Sequence, residues 1–179
     1  MKSRQVTSLV LCAVFAALTA VCSQIQIPLA VIPINLALFS VHLCALLMKK
    51  SRAALSMTVY LLMGLVGLPV FVGFQGGAGV LLGRTGGYII GYVASAFLTA
   101  LIVEKWGRSW WKMALAIVCG VAACYAFGTA WYMVLTGSPL WLSLSYCVLP
   151  FLPGDAVKTA LAVALAGRLE KPLRGVLAR

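Results

Sequence analysis

Charged residues in this 179-residue chain are gathered into four short clusters, which long uncharged stretches separate. The chain is 63% hydrophobic and 9% charged, whereas a soluble domain carries about 25% charged residues. Because so few charges cannot cover a surface that faces water, the pattern predicts a membrane protein. The clusters are Lys2/Arg4, Lys49/Lys50/Arg52, Glu104/Lys105/Arg108/Lys112 and Arg168/Glu170/Lys171/Arg174/Arg179.

The uncharged stretches predict an all-α bundle of six membrane spans that forms a single domain over residues 1–179. A membrane helix needs about 20 apolar residues, and proline interrupts backbone hydrogen bonding, so Pro28 and Pro33 are expected to form the first turn. The basic N-terminus and its apolar run are similar to a secretory signal, but we interpret them as a retained first helix. The spans are expected at roughly Val6–Cys22, Ile34–Met48, Ala53–Val70, Thr85–Val103, Trp110–Leu135 and Gly154–Gly167, with a loop over 136–153.

Six crossings place all four clusters and both termini on one side of the membrane. Twelve of the fourteen Lys and Arg residues lie in the clusters, and the positive-inside rule makes that side cytoplasmic. A net charge of +11 is also common in nucleic-acid-binding proteins, but here the basic residues form no stripe with interleaved aromatics. We therefore expect a multi-pass protein that contacts membrane lipid and no nucleic acid.

Arg84, Asp155 and Lys158 stand outside every cluster, and the predicted topology places them at the outer ends of spans. One interpretation is structural: Asp155 complements a helix N-terminus, Lys158 pairs with it at i+3, and Arg84 extends to the headgroups. The other is a polar cluster in an outward-facing cavity, where Asp155 accepts and Lys158 donates hydrogen bonds. Arg84 then supplies a bidentate donor for a carboxylate. Such a site suits a small ligand with N–H donors and an anionic group.

Glycine is concentrated in one part of the chain, since ten of the seventeen glycines fall between Gly64 and Gly91. A phosphate-binding loop would end in Lys-Ser/Thr after a strand, and this segment does not, so a nucleotide site is not expected. Close helix packing or a lid over a cavity is predicted instead. Gln75 carries the only side-chain amide in this segment, and it either contacts a ligand or caps loop backbone.

Small residues recur at four-residue spacing in the first span, as Ala13/Ala17 and Ala16/Ala20. This spacing lets membrane helices approach closely, and it serves either packing within the chain or docking of another membrane subunit. Six scattered cysteines are expected to pack as small hydrophobic residues. His42, the only histidine, is expected to hydrogen-bond to a neighbouring helix. No metal site is expected, because a metal ligand set is missing.

Five segments together resemble the BioY family, the biotin-binding S components of energy-coupling factor (ECF) transporters. The resemblance extends over nearly the whole chain, and its most specific part is the glycine-rich loop combined with the Pro-Gly-Asp-x-x-Lys segment. The segments are Ile32-Pro-Ile-Asn-Leu-Ala-Leu-Phe39, Tyr60-Leu-Leu-Met-Gly-Leu-Val-Gly-Leu-Pro-Val-Phe71, Gly73-Phe-Gln-Gly-Gly77, Leu82-Gly-Arg-Thr-Gly-Gly-Tyr88 and Pro150-Phe-Leu-Pro-Gly-Asp-Ala-Val-Lys158.

The resemblance implies a six-helix protein of a prokaryotic plasma membrane that takes up biotin and is not an enzyme. We expect no catalytic residue or cofactor in a protein that binds and transports a ligand. Asp155 and Lys158 match the family's ligand residues and are expected to bind polar groups of biotin, such as its ureido ring. Gln75 and Tyr88 join them as candidate ligand residues, and Arg84 stands where the family usually has proline.

The resemblance also implies partners. The alanine spacing of the first span is similar to the S-component motif that docks on a transmembrane coupling subunit. That subunit and two ATPase subunits would supply energy, since this chain has no Walker motif. Two alternatives stay open: an S component for another vitamin, and a small membrane enzyme that uses Asp155 as a base. The enzyme is disfavoured because two of the three acids lie in the basic clusters.

Overall fold

Helices make up most of the chain, and two short strands form a hairpin between the first two. The computed structural model describes residues 2–27 and 32–177, so Pro28 and Arg179 lie outside the described residues. The elements are α1 (Lys2–Gln24), β1 (Gln26–Ile27), β2 (Ile34–Asn35), α2 (Ala37–Leu47), α3 (Lys50–Leu65), α4 (Ala78–Leu81), α5 (Gly86–Trp106), α6 (Trp110–Thr136), α7 (Leu140–Cys147) and α8 (Leu152–Leu177).

Among the described residues, three helical segments are long and apolar enough to cross a membrane: Val6–Gln24, Gly86–Trp106 and Trp110–Thr136. A fourth crossing is possible if α7 and α8, which meet at a bend of 51°, form one broken span. The other two predicted spans are shorter helices, since α2 has 11 residues and α3 has 16. A helix rises 1.5 Å per residue, so α2 covers only about half of a bilayer core of about 30 Å.

The second predicted span begins three residues later than expected. Ile34 and Asn35 pair in antiparallel register with Ile27 and Gln26, and the backbone turns helical only at Ala37. The Asn35 side-chain oxygen then accepts a hydrogen bond from the Ala37 amide at 2.9 Å. This capping bond satisfies one of the free amides at the start of α2.

The loop predicted over residues 136–153 is wrong, because α7 occupies its middle. The last helix is also longer than the predicted Gly154–Gly167, since α8 runs from Leu152 to Leu177. Hydropathy locates the membrane boundary, but Arg, Glu and Lys are good helix formers, so the charged cluster after Gly167 does not end the helix. Pro153 is tolerated because it lies in the first turn, where the backbone amide has no helical partner.

Helix α2 lies at the centre of the bundle, and ten of its eleven residues are buried. It contacts α1, α3, α5 and α8, while α5 and α6 form the most extensive helix pair. Glycines make that pair close: a Cβ at Gly128 would overlap the Tyr88 ring, and a Cβ at Gly91 would lie 3.2 Å from the Cys124 sulfur. Backbone proximity of this kind is the main way in which helices associate within lipid.

Candidate ligand-binding site

A cavity of about 280 Å³ lies between α2, α3, α5, α6, α8 and the connecting loops. Its volume is near the lower end of the range of small-molecule sites, roughly 300–1,000 Å³. The lining is mostly aliphatic and aromatic, with a few polar groups. Lining residues are Gln26, Ile32, Pro33, Asn35, Leu38, Tyr60, Phe71, Val72, Gly73, Gln75, Val80, Thr85, Tyr88, Ile89, Tyr92, Tyr125, Phe151 and Lys158.

The deep wall of the cavity, defined here as Tyr125, Asp155 and Lys158, carries a buried ion pair. Lys158 Nζ lies 2.8 Å from Asp155 Oδ1, and each residue is 5% exposed. The Tyr125 hydroxyl donates a hydrogen bond to the other carboxylate oxygen, Asp155 Oδ2. Both carboxylate oxygens therefore have partners, which is the condition under which a buried charge is tolerated.

Helix α8 places the acid and the base on the same face. Asp155 lies in its first turn, where the helix dipole favours a negative charge, and its backbone amide donates to the Phe151 carbonyl at 2.8 Å. Lys158 follows at i+3, one turn away on that face. The helix N-terminus and the Lys158 ammonium thus both stabilise the Asp155 carboxylate. These are the two contacts that the structural interpretation of the sequence predicted.

The ammonium and the carboxylate have different access to the cavity. Lys158 and Tyr125 line it, whereas Asp155 lies behind them. A lysine ammonium has three donors, and one of them is engaged with Asp155. The remaining donors of Lys158 suit a carbonyl or carboxylate oxygen of a ligand, and Asp155 fixes the direction in which they point.

Aromatic rings form the walls on either side. Tyr60 lies edge-on to Phe71, with ring centroids 5.6 Å apart, and its ring is 6.4 Å from that of Tyr92. The Tyr88 ring lines the cavity as well, but its hydroxyl donates to the Cys147 carbonyl at 3.0 Å. Tyr88, one of the residues that the sequence analysis named, therefore lines the cavity with its ring, while its hydroxyl links α5 to α7.

The rim of the cavity, defined here as Gln26, Gly73 and Gln75, is exposed and comes from two loops. The hairpin contributes Gln26 and the loop after α3 contributes the other two. The loops approach each other, since a Cβ on Gly73 would lie 3.6 Å from Gln26 Nε2. Gln75 lines the cavity at this rim, and its contact with a ligand stays a prediction.

Arg84 does not join Asp155 and Lys158. It is exposed and lies in a shallow groove beside the cavity, together with Gly76, Gly79 and Gly83. The groove and the cavity share Gln75, Val80 and Thr85. The structure therefore brings together two of the three isolated charges and leaves the third outside, next to the rim.

The four predicted docking alanines fall on different faces of α1. Ala13 and Ala17 are exposed, Ala20 is half-buried, and Ala16 is fully buried in the core. Ala16 thus packs within the chain, which is one of the two alternatives that the spacing allowed. Ala13 and Ala17 lie on a face that remains open to lipid or to another subunit.

His42 is buried in α2, and neither ring nitrogen has a hydrogen-bond partner among the described residues. The expected bond to a neighbouring helix is therefore not found. The part of the chain that the structure describes holds no group of three or more His, Cys, Asp or Glu side chains suited to a metal. Cysteines pack as expected, since five of the six are buried and all are unpaired.

Sequence reasoning missed Tyr125 and Asn35. Tyr125 lies in the middle of an apolar helix, and Asn35 both accepts a hydrogen bond from the first amide of α2 and lines the cavity. Neither position carries a charge, so the search for isolated charges passed over them. An isolated hydroxyl or amide within an apolar run was the available signal, because a polar group in a membrane helix usually finds a specific partner.

The fold and the site define a multi-helix membrane protein that encloses a small-molecule cavity. The model of the BioY family matches residues 1–175, and the chain belongs to that family. It is 37% identical over 158 residues to the biotin transporter BioY of Thermotoga maritima, covering 88% of this chain and 92% of that protein. It is 36% identical over 170 residues to the probable biotin transporter BioY of Pyrococcus horikoshii, covering 95% and 98%.

A solved structure matches the fold over almost its full length. It is the crystal structure of the S-component for biotin from an ECF-type ABC transporter, with a TM-score of 0.87 and 28% sequence identity. The match covers 96% of this chain and 94% of that one. The family resemblance on which the sequence reasoning relied is therefore confirmed.

Proposed function

We propose that the chain is the biotin-binding S component of an ECF-type uptake transporter. The observation that carries the proposal is a mostly apolar cavity with the buried Asp155–Lys158 pair at its deep wall. Relatives named as biotin transporters and a biotin S-component of the same fold support the choice of ligand. Biotin is here the transported ligand, and the proposal includes no cofactor.

The chemistry of biotin suits the two kinds of surface in the cavity. Its ureido group has one carbonyl acceptor and two N–H donors. Lys158 offers the donor that the carbonyl needs, and Asp155, which does not line the cavity, orients that donor through the ion pair. Its sulfur-containing ring and aliphatic chain suit the aromatic walls at Tyr60, Tyr88 and Tyr92. Directional polar contacts at one end and apolar contacts along the sides are the usual composition of a small-molecule site.

At the rim, Gln75 contributes a polar contact and Arg84 attracts the carboxylate of biotin. An exposed arginine beside the opening acts mainly on the rate of encounter, because charges at a rim steer ligands more than they hold them.

We propose six membrane crossings for the single domain, with both termini in the cytoplasm of a prokaryotic cell. Four clusters of basic residues on one side satisfy the positive-inside rule. The short helices α2 and α3 would then cross only part of the bilayer, with the hairpin and the glycine-rich loop completing the outer side. In this orientation the cavity opens to the outside of the plasma membrane.

Inward transport requires an energy source that this chain lacks. We propose that a transmembrane coupling subunit and two ATPase subunits supply it, with the exposed Ala13/Ala17 face of α1 as the docking surface. Small residues at this spacing allow a partner helix to approach closely in lipid. The membrane-enzyme alternative is not supported, because the relatives are named transporters.

Biotin titration of the purified protein tests the ligand. We expect binding at micromolar concentration or below for the wild type, and large losses for Asp155→Asn and Lys158→Ala. Absence of biotin binding by a folded wild-type protein would overturn the proposal, and binding of a different vitamin would select the other S-component alternative. A cysteine introduced at Gln75 tests the topology, since a membrane-impermeant maleimide applied to intact cells should label it above the wild-type background.

A further inference from the structure

One glutamine at the end of α1 holds the loop that forms part of the cavity rim. Gln24 Nε2 lies within hydrogen-bond distance of the carbonyl oxygens of Val70 at 3.3 Å and Phe71 at 3.0 Å, and its two hydrogens are shared with the Ala20 carbonyl at 3.2 Å and Ser23 Oγ at 3.0 Å in α1. Its side-chain oxygen accepts a hydrogen bond from the Phe74 amide at 2.9 Å. A single amide group therefore bonds the segment at both ends, as donor and as acceptor.

The rest of the segment is anchored unevenly. The Val70 carbonyl also accepts hydrogen bonds from Ser23 Oγ at 2.7 Å and from the Tyr60 hydroxyl at 3.2 Å. The Phe71 amide donates to the Gln75 carbonyl at 2.9 Å. The start of the segment is thus held by several side chains, whereas the Phe74 amide is held by Gln24.

Phe74 is in a conformation that needs such support. Its φ is +57°, and it is the only non-glycine residue in the described chain with a positive φ. Its side chain is 73% exposed, so packing contributes little to keeping this backbone in place. A bulky residue in the left-handed region carries a steric cost, and the bond to Gln24 opposes relaxation to an ordinary turn.

Gln24 itself does not line the cavity, but the segment that it holds contributes Phe71, Val72, Gly73 and Gln75 to the lining. We infer that Gln24 is a positioning residue, a latch whose two-sided amide keeps this loop closed against the hairpin and thereby sets how fast ligand enters and leaves. The inference rests on the proposed function, because it takes biotin as the ligand. Because Gly73 and Gln75 of this loop line the cavity at its rim, the latch is expected to act on both rates.

Two substitutions weaken the latch in different ways. Gln24→Ala removes all of its bonds to the loop, whereas Gln24→Glu keeps an acceptor for the Phe74 amide and places a carboxylate against the two carbonyl oxygens. Thr58→Ala is the matched control, since Thr58 Oγ1 bonds only to the Ala54 carbonyl of its own helix α3. The wild type, the two latch variants and the control are compared in the same detergent.

The first measurement is independent of ligand. Hydrogen exchange of residues 66–77 in ligand-free protein, read by mass spectrometry, should be about tenfold faster in Gln24→Ala, because one or two net hydrogen bonds are lost. Exchange in α5 and α6 should not change, and Thr58→Ala should match the wild type in the loop. Faster exchange throughout the protein would instead indicate a general role in folding and would overturn the latch.

The second measurement is the kinetics of biotin binding by stopped flow. The association and dissociation rate constants should both rise by about tenfold in Gln24→Ala and Gln24→Glu, while the dissociation constant changes less than either rate. A direct ligand contact would raise the dissociation rate alone. If the wild type binds biotin and the Gln24 variants show unchanged rates, the latch is overturned. If the wild type does not bind biotin, the proposed function is overturned, and the hydrogen-exchange measurement alone then tests whether Gln24 holds the loop.

Discussion

The deep wall and the rim of the cavity are built from different kinds of interaction. At the deep wall, Asp155 and Lys158 are each 5% exposed and form an ion pair on one rigid helix. At the rim, Gln75 and the adjacent Arg84 are exposed and belong to loops. Charges removed from water interact strongly, while exposed charges are screened.

This difference assigns different tasks to the two ends. A deep wall whose ion pair is already formed spends little free energy on ordering when ligand arrives, so it suits selection of the polar groups of a ligand. An exposed rim suits encounter and passage. Substitutions at the deep wall should therefore alter affinity and stability together, whereas substitutions at the rim should alter rates with small effects on stability.

The largest effect is expected for Lys158→Met, which leaves the Asp155 carboxylate buried without its cation. Breaking a buried ion pair by removing one partner costs about 3–5 kcal/mol, so thermal unfolding in detergent should occur at a clearly lower temperature. Biotin affinity should fall by at least a hundredfold, as measured by titration calorimetry.

The double variant Asp155→Asn/Lys158→Met separates the two effects. Because no unpaired charge remains, most of the thermal stability should return, while biotin affinity should stay low. Recovery of biotin binding in the double variant would show that the ion pair contributes to folding alone. The deep wall would then not be the part of the cavity that selects the ligand.

Tyr125→Phe tests the second partner of the carboxylate. The substitution removes the hydroxyl that donates to Asp155 and keeps the ring, and a hydrogen bond to a charged group contributes about 1.5–3 kcal/mol. Biotin affinity should fall by roughly ten- to a hundredfold on the same scale. Tyr146→Phe, at an exposed position of α7, should bind like the wild type, and equal losses in both variants would refute a specific role for Tyr125.

The ion pair was predictable from the sequence, whereas its surroundings were not. Asp155 and Lys158 stood out because charge is rare in apolar runs, and their spacing placed them on one helix face. Tyr125 comes from another helix some thirty positions earlier, and no local pattern reports a contact that only the packing of α6 against α8 creates. Arg84 shared the rarity of the other two charges, but its loop directs it outward.

The helices likewise include some that the sequence predicts and some that it does not. Long apolar runs predicted α6 to within one residue at each end and α1 and α5 to within four, because a continuous run of about 20 apolar residues has few alternatives in a membrane. The short elements α2 and α7 were mispredicted or missed, since runs of eight to eleven apolar residues are compatible with loop, strand or helix. The hairpin pairing that delays the start of α2 and the bend of 51° between α7 and α8 are not encoded in the apolar runs.

Gly128→Ala tests the scaffold that supports the aromatic wall. The new Cβ would overlap the Tyr88 ring, so α5 and α6 must separate or the ring must move, at a cost of about 1–3 kcal/mol for overpacking. Thermal stability should fall, and biotin affinity should fall severalfold because Tyr88 lines the cavity.

Gly167→Ala is the matched control, since nothing lies within 4 Å of a Cβ added at this position. This substitution should leave thermal stability unchanged or slightly raised. If the two variants behave alike, close packing of α5 and α6 does not shape the cavity.

The smallest effect on affinity is expected for Arg84→Ala at the groove beside the rim. An exposed charge pair contributes about 0–1 kcal/mol, so biotin affinity should fall no more than about fivefold, and melting temperature should not change. The loss should lie mainly in the association rate and should disappear as salt is raised, because screening weakens an exposed interaction first.

Arg84→Lys should retain most of the wild-type association rate. Lys49→Ala, which removes an exposed cation from a basic cluster, controls for the change in net charge. A hundredfold loss in Arg84→Ala that persists at high salt would place a strong ligand contact at the rim. Both ends of the cavity would then contribute to affinity, and the rim would bind the ligand as strongly as the deep wall does.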